Sequence, residues 1–412
     1  MIPYRKKTLD NGLEVVVNRD RQSKMAAVNL LYRVGARNES PERTGFAHLF
    51  EHLMFRGTHR HPDFDRPVQM ASGDNNAFTN NDYTDFYITL PRDRVATALE
   101  LESDRMTDLA ITPGKLAAEK RVVVEEFRQR YLNQPYGDQT MLLRALAYRK
   151  HPYRWATIGL TPDHIEAATL PEVEAFYRRH YRPSNAVLSI SADLDEERML
   201  AMAEEWFAPV PDRPAAAEPI PAEPPQTEAR RQEVERDVPA TTVTVAFRMG
   251  RRTDPSFQAA DLVSDLLAGG DSGRLHRRLV KQRRLFASVN AYVTGDLDPG
   301  LFVATGQLLP TTTVDEAEEA LWGELLSLAD GQASDYELEK VKNKFEANTL
   351  FGELNVMNKA MNLGFYCMAG DLELVNRETA LYRAVDRDAI ARFCRETFRP
   401  EQSSTLIYRA AR

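Results

Sequence analysis

The residues best suited to chemistry lie in one short segment, His48-Leu-Phe-Glu51-His52. On a helix, positions 48 and 52 are one turn apart and project from the same face, so both imidazoles can bind a single metal ion. Glu51 borders that face, where its carboxylate can accept a proton from a metal-bound water without being a ligand. Neutral imidazoles, together with a carboxylate and one position left for water, are typical of catalytic zinc. The segment therefore predicts a zinc site that activates water at neutral pH.

The sequence around this segment predicts a helix with a buried face. Ser40 can cap the helix, Pro41 suits its first position, and Gly57 can end it. The apolar positions of the helix are Phe46, Leu49, Phe50 and Leu53. Two histidines and an acid that face an interior require partners or a metal, because burying unsatisfied polar groups is costly. The competing interpretation is an exposed helix that carries two histidines and an acid by chance.

A third ligand must come from another element, and the helical pattern over 115–130 offers acids for this role. Glu119 and Glu126 are seven residues apart and therefore share one helix face, about two turns from each other. Either of them can bind the metal while the other holds a ligand in place. Glu125 lies on a different face and is the weaker candidate. The spacing alone does not decide between them, because charged helices are commonly only solvated.

The chain has 412 residues, a length that favours two or more domains. Its halves resemble each other, since residues 27–35 and 242–250 each read as a strand that ends in an aromatic residue, Arg, any residue and Gly. Alternating strands and amphipathic helices occur in both halves. We therefore predict an α+β fold of two duplicated domains, each a mainly antiparallel sheet flanked by helices.

A composition change marks the predicted boundary between the halves. Proline and charge accumulate between Pro209 and Pro239, a composition that suits an extended tether and cannot bury a core. We predict an N-terminal zinc-binding domain at 1–210, a linker at 211–238 and a C-terminal domain without zinc at 239–412.

Composition limits the remaining function classes. The formal net charge of −8 gives no basic footprint, so we expect no nucleic-acid partner. The sequence has no apolar run near the length of a membrane span, and we expect no membrane association. Cys367 and Cys394 are the only cysteines, which favours a reducing compartment. The sequence starts without an apolar signal core, which predicts a cytoplasmic location, or a periplasmic one if a leader was removed.

Taken together, these motifs resemble those of the pitrilysin/insulinase family of inverzincin zinc metallopeptidases, specifically its shorter branch, which includes mitochondrial processing peptidase. The resemblance covers nearly the whole chain. It rests on Leu9-Asp-Asn-Gly-Leu13, Phe46-Ala-His-Leu-Phe-Glu-His-Leu-Met-Phe-Arg-Gly-Thr58, Asn76-Ala-Phe-Thr79, the pair Glu119 and Glu126, and Tyr181-Arg-Pro-Ser-Asn-Ala-Val187.

The resemblance assigns a role to each residue of the metal motif. It implies one zinc ion per chain, bound by His48, His52 and Glu126. It implies that Glu51 is the catalytic base and that Glu119 supports a ligand from outside the metal's own ligand set. It also implies that the reaction is the hydrolysis of peptide bonds.

The resemblance further implies how a peptide substrate binds. The substrate is expected to add as a strand to an exposed sheet edge, which we place at Asn76, Ala77 and Phe78. Without the resemblance, this stretch would be only a polar turn that enters a strand. Four such domains are expected to enclose a chamber, and because this chain supplies two, a dimer is implied.

The second half departs from the pattern of a self-sufficient enzyme. At the positions equivalent to the two histidines and the glutamate it has Val263, Leu266 and Leu267. Family members that act alone carry an Arg and a Tyr seven residues apart, and here Val280 and Ala287 stand in their places. Neither side chain can donate a hydrogen bond to a developing oxyanion. We therefore expect the zinc-bearing subunit of a heterodimer whose related partner supplies the Arg/Tyr pair, with a homodimer as the alternative.

Two other functions stay open. The chain could be a non-catalytic scaffold of the same fold, or a subunit that binds peptides without cutting them. Scaffold members of the family typically lose the zinc motif, and this sequence retains all of it. The intact motif therefore favours the peptidase.

Overall fold

The computed structural model describes residues 1–213, 215 and 218–411. The described strands are β1 Arg5–Thr8, β2 Glu14–Arg19, β3 Met25–Tyr32, β4 Asp74–Thr79, β5 Thr84–Pro91, β6 Ala186–Ala192, β7 Arg230–Arg236, β8 Thr242–Arg248, β9 Phe286–Val293, β10 Leu301–Leu308 and β11 Ser403–Ala410. The described α-helices are α1 Phe46–Leu53, α2 Asp65–Met70, α3 Val95–Thr107, α4 Pro113–Phe127, α5 Gln139–Ala147, α6 Pro162–Glu166, α7 Leu170–His180, α8 Glu196–Phe207, α9 Phe257–Ala268, α10 Val314–Ala329, α11 Asp335–Gly352, α12 Val356–Met368, α13 Leu374–Ala384 and α14 Arg387–Thr397. None of these helices is long and apolar enough to cross a membrane.

The chain forms two compact units, and each unit is built from three separate segments. The first unit comprises Met1–Arg128, Trp155–Pro221 and Leu350–Arg377, and the second comprises Gln129–Arg154, Ala222–Thr349 and Glu378–Arg412. The predicted domains, 1–210 and 239–412, treat each domain as one continuous stretch, and the structure differs from that division. Helix α5 of the first half belongs to the second unit, and α12 of the second half belongs to the first.

The first unit contains a six-stranded sheet in the order β1-β2-β6-β3-β5-β4. Strands β2 and β6 are parallel, and all other neighbours in this sheet are antiparallel. Ser189 of β6 donates its hydroxyl to the Ala360 carbonyl of α12 at 2.7 Å. Gly364 permits this close approach, since a Cβ there would lie 3.0 Å from the side chains of Asn29 and Ser189. These contacts bind a helix from late in the sequence to the first sheet.

The second unit contains a five-stranded sheet in the order β7-β11-β8-β10-β9. Its first pair is parallel and the remaining pairs are antiparallel. Strand β7 lies inside the predicted linker at 211–238, so that prediction is wrong for Arg230–Arg236. Its charged side chains are typical of a tether, but an edge strand needs only backbone pairing, and β11 supplies it. Pro214, Ala216 and Ala217 of the predicted linker, and Arg412 of the predicted C-terminal domain, lie outside the described residues.

The two sheets share one plan. Leaving β1 aside, the order β2-β6-β3-β5-β4 corresponds strand by strand to β7-β11-β8-β10-β9. The two segments that resemble each other in sequence are β3 and β8, which occupy the same place in their sheets. The predicted fold class, α+β with two mainly antiparallel sheets flanked by helices, is confirmed.

Candidate metal site

The helix that carries the two histidines, α1, is short and begins at an unusual residue. It has eight residues, and its N-cap is Gly45 in a left-handed conformation with φ of 88°. A Cβ at Gly45 would lie 2.5 Å from the carbonyl oxygen of Ile158. A side chain is therefore disfavoured there both by the backbone conformation and by the lack of space.

The structure corrects the predicted ends of this helix. Ser40 pairs with Arg43 in an isolated β-bridge, so Ser40 and Pro41 lie in a turn before the helix and do not start it. Gly57 lies beyond the last helical residue, Leu53, and its φ of 78° belongs to the turn that follows. The predicted start and end were wrong because the cap and breaker residues serve these turns.

The apolar side of α1 is packed as predicted. Phe50 stacks on Phe176 and Tyr181 with ring centroids 5.2 and 5.1 Å away. The four apolar positions of the helix, Phe46, Leu49, Phe50 and Leu53, are all buried. This packing fixes the helix with His48 and His52 side by side, their ring centroids 4.9 Å apart.

Helix α4 brings Glu126 to the two histidines. Oε2 of Glu126 lies 3.4 Å from Nε2 of His52 and 3.8 Å from Nε2 of His48. One ligand atom from each of the three residues lies within 4.8 Å of the other two. Bonds of about 2.1 Å around a tetrahedral zinc ion place neighbouring ligand atoms roughly 3.4 Å apart, so these residues fit the ion. In the part of the chain that the structure describes, this is the one group of such residues with that geometry.

Glu119 reaches the site from the same helix but contacts the other side of an imidazole. Its Oε2 lies 3.4 Å from Nδ1 of His52, the ring nitrogen that does not face Glu126. Its Oε1 accepts a hydrogen bond from Arg56. Glu125, the third acid considered, has a side chain that is 55% exposed and lies near Arg128 instead.

Arg56 is a component of the site that the sequence reasoning missed. Burial alone would raise the pKa of Glu119, but the hydrogen bond with His52 and the charge of Arg56 outweigh it, and the pKa is lowered. Arg56 therefore keeps Glu119 ionised and binds one of its carboxylate oxygens, which is then not available to the metal. The signal was present in the sequence, because Arg56 follows His52 by four residues and both could meet one acid.

The carboxylates give the site an affinity for positive charge. Burial lowers the pKa of His52, but its hydrogen bonds to Glu119 and Glu126 outweigh that effect and raise it to about 9. Two carboxylates that stabilise a positive imidazolium ring also favour a bound cation at the same place.

Glu51 lies between the metal-binding residues and the edge of the sheet. Burial raises the pKa of Glu51, and the negative charge of Glu126 raises it further. Interactions with Thr79, the last residue of β4, and the attraction of His52 act in the opposite direction, and the pKa remains raised. A carboxylate with a raised pKa accepts a proton more readily than an ordinary one.

Strand β4 carries the residues predicted to contact a substrate. Within the described part of the chain it has a strand neighbour on one side only, β5, so its other edge is available for pairing. Asn76 is exposed, Phe78 is half-buried, and Ala77 is buried opposite Phe86 of β5. The structure therefore places all three predicted residues on a sheet edge, directly before Thr79, which lies near Glu51.

The second unit has no comparable set of side chains at the equivalent helix. Val263, Leu266 and Leu267 of α9 are buried in its hydrophobic core. Val280 lies in a π-helical turn, His276–Gln282, and packs partly against that core. Ala287 is exposed on β9.

The fold and the site together define a class. Two units of one plan, with a His-x-x-Glu-His helix and a glutamate from a second helix in the first unit alone, are the pattern of an inverzincin metallopeptidase. The chain belongs to peptidase family M16, the insulinase family. The model "Insulinase (Peptidase family M16)" matches residues 14–159, and the model "Peptidase M16 inactive domain" matches residues 167–345. The resemblance found in the sequence is thereby confirmed.

Relatives of known name agree with this assignment. "Zinc protease PqqE" of Helicobacter pylori is 28% identical over 406 residues, which cover 97% of this chain and 91% of that protein. "Probable mitochondrial-processing peptidase subunit beta, mitochondrial" of Arabidopsis thaliana is 23% identical over 83% of this chain and 66% of that protein. A crystal structure of a protease from Helicobacter pylori is similar with a TM-score of 0.94 and 27% identity, over 99% of this chain and 100% of that one. The periplasmic protease PqqL from Escherichia coli shares the fold, with a TM-score of 0.80 and 17% identity, over 99% of this chain and 48% of that one.

Proposed function

We propose that the chain is a zinc-dependent endopeptidase that hydrolyses peptides or unfolded segments. The observation that carries the proposal is the convergence of His48, His52 and Glu126 on one point, with Glu51 next to them in the sequence of α1. The relatives named zinc proteases support it. One zinc ion per chain at this point is part of the proposal.

The side chains suggest how the reaction would proceed. Zinc, when bound by His48, His52 and Glu126, would polarise the scissile carbonyl and lower the pKa of a water to about 7. Glu51 would accept the proton of the attacking water and return it to the leaving amine. Glu119 would hold the His52 ring in place through Nδ1, which fixes the direction of Nε2.

The edge of β4 is the proposed place for the substrate backbone. A peptide added there would pair with the main chain of Asn76, Ala77 and Phe78, so its affinity would depend little on side-chain identity. Because Thr79 at the end of this strand lies close enough to Glu51 to lower its pKa, such a peptide would pass close to the proposed base.

We further propose that the chain works with a related partner. Val280 and Ala287 cannot donate a hydrogen bond to an oxyanion, an interaction commonly worth about 3–4 kcal/mol. A related chain with an Arg and a Tyr at these places would supply it, in a dimer whose four domains enclose a chamber. A homodimer of lower activity is the alternative. The compartment, cytoplasmic or periplasmic after loss of a leader, stays a prediction.

The same two residues favour one second candidate function. A chain that lacks oxyanion donors could keep peptides in the chamber without cutting them, or serve only as a scaffold. Glu51→Gln separates these functions, because it removes a proton acceptor and leaves the three proposed ligands intact.

The test measures zinc content and peptide cleavage on the same samples. The wild-type chain should contain about one zinc per chain, and Glu51→Gln should retain the zinc while losing cleavage. Cleavage of an unstructured peptide is assayed on the chain alone and after mixing with a related chain that carries the Arg/Tyr pair. Zinc-loaded protein that leaves peptides intact in both assays would refute the peptidase and favour the peptide-binding subunit, whereas absence of zinc would favour the scaffold.

A further inference from the structure

The start of α1 is stabilised from outside the helix. A helix of eight residues has little stability of its own, and its first N–H groups have no partners within the helix. Gly45 at the N-cap has no side chain that could accept from them. A group elsewhere in the chain must therefore satisfy these donors.

Glu39 is that group. Its Oε2 accepts from the Gly45 N–H and its Oε1 accepts from the Ala47 N–H, both at 2.8 Å. The residue is 8% exposed, so the carboxylate is enclosed by protein rather than by water. Both oxygens of the carboxylate are thus used on α1, and the second bond is made to the residue directly before His48.

The turn that carries Glu39 is itself tied to the hairpin of the proposed substrate strand. Residues Ala36–Asn38 form a 3-10 turn just before Glu39. The Ala36 and Arg37 N–H groups donate to the carbonyls of Asn80 and Asn81 at 3.1 and 2.8 Å. Asn80 and Asn81 form the turn between β4 and β5. The indole of Trp155 donates to the Ala36 carbonyl at 3.0 Å and also holds this turn.

We propose that Glu39 is a positioning residue that fixes the metal helix relative to the substrate strand. Through its turn it is joined to the β4–β5 hairpin, and through its carboxylate it is joined to the first residues of α1. The placement of His48 and Glu51 then depends on a carboxylate that contacts neither metal nor substrate. This inference rests on the proposed function.

Glu39→Gln is the first test variant, because the amide keeps the size of the side chain but has only one acceptor. Its NH2 group would face a backbone N–H at Gly45 or Ala47, and the helix start would shift. We expect zinc to bind at least tenfold more weakly, in the range found when groups that orient metal ligands are lost. The readouts are competition with a zinc chelator and the visible spectrum of the cobalt-loaded protein, which reports ligand geometry. On a cleaved peptide, kcat should fall about tenfold while KM stays within about twofold, since β4 is unchanged.

Asp195→Ala is the control, since it removes a helix cap and should therefore destabilise the first unit. Asp195 caps α8 in the same unit, accepting from the Arg198 N–H at 3.3 Å, and α8 carries none of the proposed site residues. This variant should lower Tm without changing zinc affinity or the cobalt spectrum. If both variants lose zinc affinity to the same extent, a general loss of stability in the first unit explains the result and the proposal is overturned.

Three further results decide the remaining cases. If Glu39→Gln does not fold, Glu39→Asp, whose shorter side chain cannot reach both N–H groups, replaces it. Tenfold weaker zinc in that variant supports the proposal, and wild-type zinc affinity overturns it. A wild-type chain that binds zinc but cleaves nothing refutes only the peptidase, since zinc affinity still tests Glu39. A wild-type chain without zinc refutes both.

Discussion

Replacing Glu119 by Gln removes a negative charge from between His52 and Arg56, beside the proposed metal position. One oxygen of Glu119 lies 3.4 Å from Nδ1 of His52, and the other accepts from Arg56. The side chain is 2% exposed, so water screens these contacts little. A hydrogen bond to a charged group contributes about 1.5–3 kcal/mol, which corresponds to roughly 10–100-fold in a binding constant. We therefore expect Glu119→Gln to bind zinc about 10–100-fold more weakly than the wild type.

Competition with a zinc-binding dye of known affinity measures this loss without any substrate. Glu125→Gln is the matched control, because it removes the same charge from the same helix at a side chain that is 55% exposed. It should bind zinc as the wild type does. Glu126→Gln removes a proposed ligand and should bind zinc more weakly than Glu119→Gln.

Two outcomes would refute this reasoning. Wild-type zinc affinity in Glu119→Gln would show that His52 keeps its orientation without the carboxylate. A greater loss in Glu119→Gln than in Glu126→Gln would exchange the roles of the two acids, and Glu119 would then be the ligand.

Three other predictions concern stability and the second unit. Burial raises the pKa of Glu337, but its hydrogen bond with buried Arg274 outweighs this effect and lowers the pKa from 4.5 to about 2. The pair therefore stabilises the fold above pH 4.5 and ceases to do so as the pH falls towards 2, and Glu337→Gln should cost on the order of 1–2 kcal/mol at pH 7 after allowance for solvent screening. A difference in urea midpoints between the variant and the wild type that does not shrink below pH 4.5 would contradict this prediction. Gly45→Ala should lower the free energy of unfolding by about 1–3 kcal/mol, because residue 45 has a φ of 88° and its Cβ would lie 2.5 Å from a carbonyl oxygen. Thermal unfolding measures this loss, and an unchanged Tm would be incompatible with the strain. Val280→Arg combined with Ala287→Tyr should raise the rate of peptide cleavage by the chain alone, by up to about a hundredfold. If the rate does not rise, the lack of oxyanion donors is not the reason why the chain needs a partner.

The metal-binding residues were predictable because local geometry determines them. Two imidazoles four residues apart on a helix must share a face, and the apolar positions of α1 show which face is buried. The structure brings His48 and His52 together with Glu126, the acid that the resemblance indicated. The spacing alone could not decide between Glu126 and Glu119, because both lie on the same face of α4. Only the structure shows that Glu126 faces Nε2 of both imidazoles and that Glu119 faces Nδ1 of His52.

The features that were missed depend on contacts between residues distant in the sequence. The start of α1 is set by Gly45 and by the carboxylate of Glu39, not by a residue that resembles an ordinary cap. The exchange of α12 into the first unit depends on Gly364 fitting against Ser189, a match that no local pattern shows. Strand β7 was hidden because its side chains are charged, although its backbone pairs fully with β11.

The core of the second unit limits how that unit can contribute to hydrolysis. Val263, Leu266 and Leu267 are at most 1% exposed, and α9 packs on its sheet through them. Without a metal, each histidine in these places would cost about 1–3 kcal/mol and a buried carboxylate would cost more, so this helix is built as core. Strand β9, in contrast, ends the described five-stranded sheet as β4 ends the other, and exposed Ala287 lies on it. In the proposed heterodimer, the partner's Arg and Tyr would lie on the segment equivalent to β9 and the turn before it.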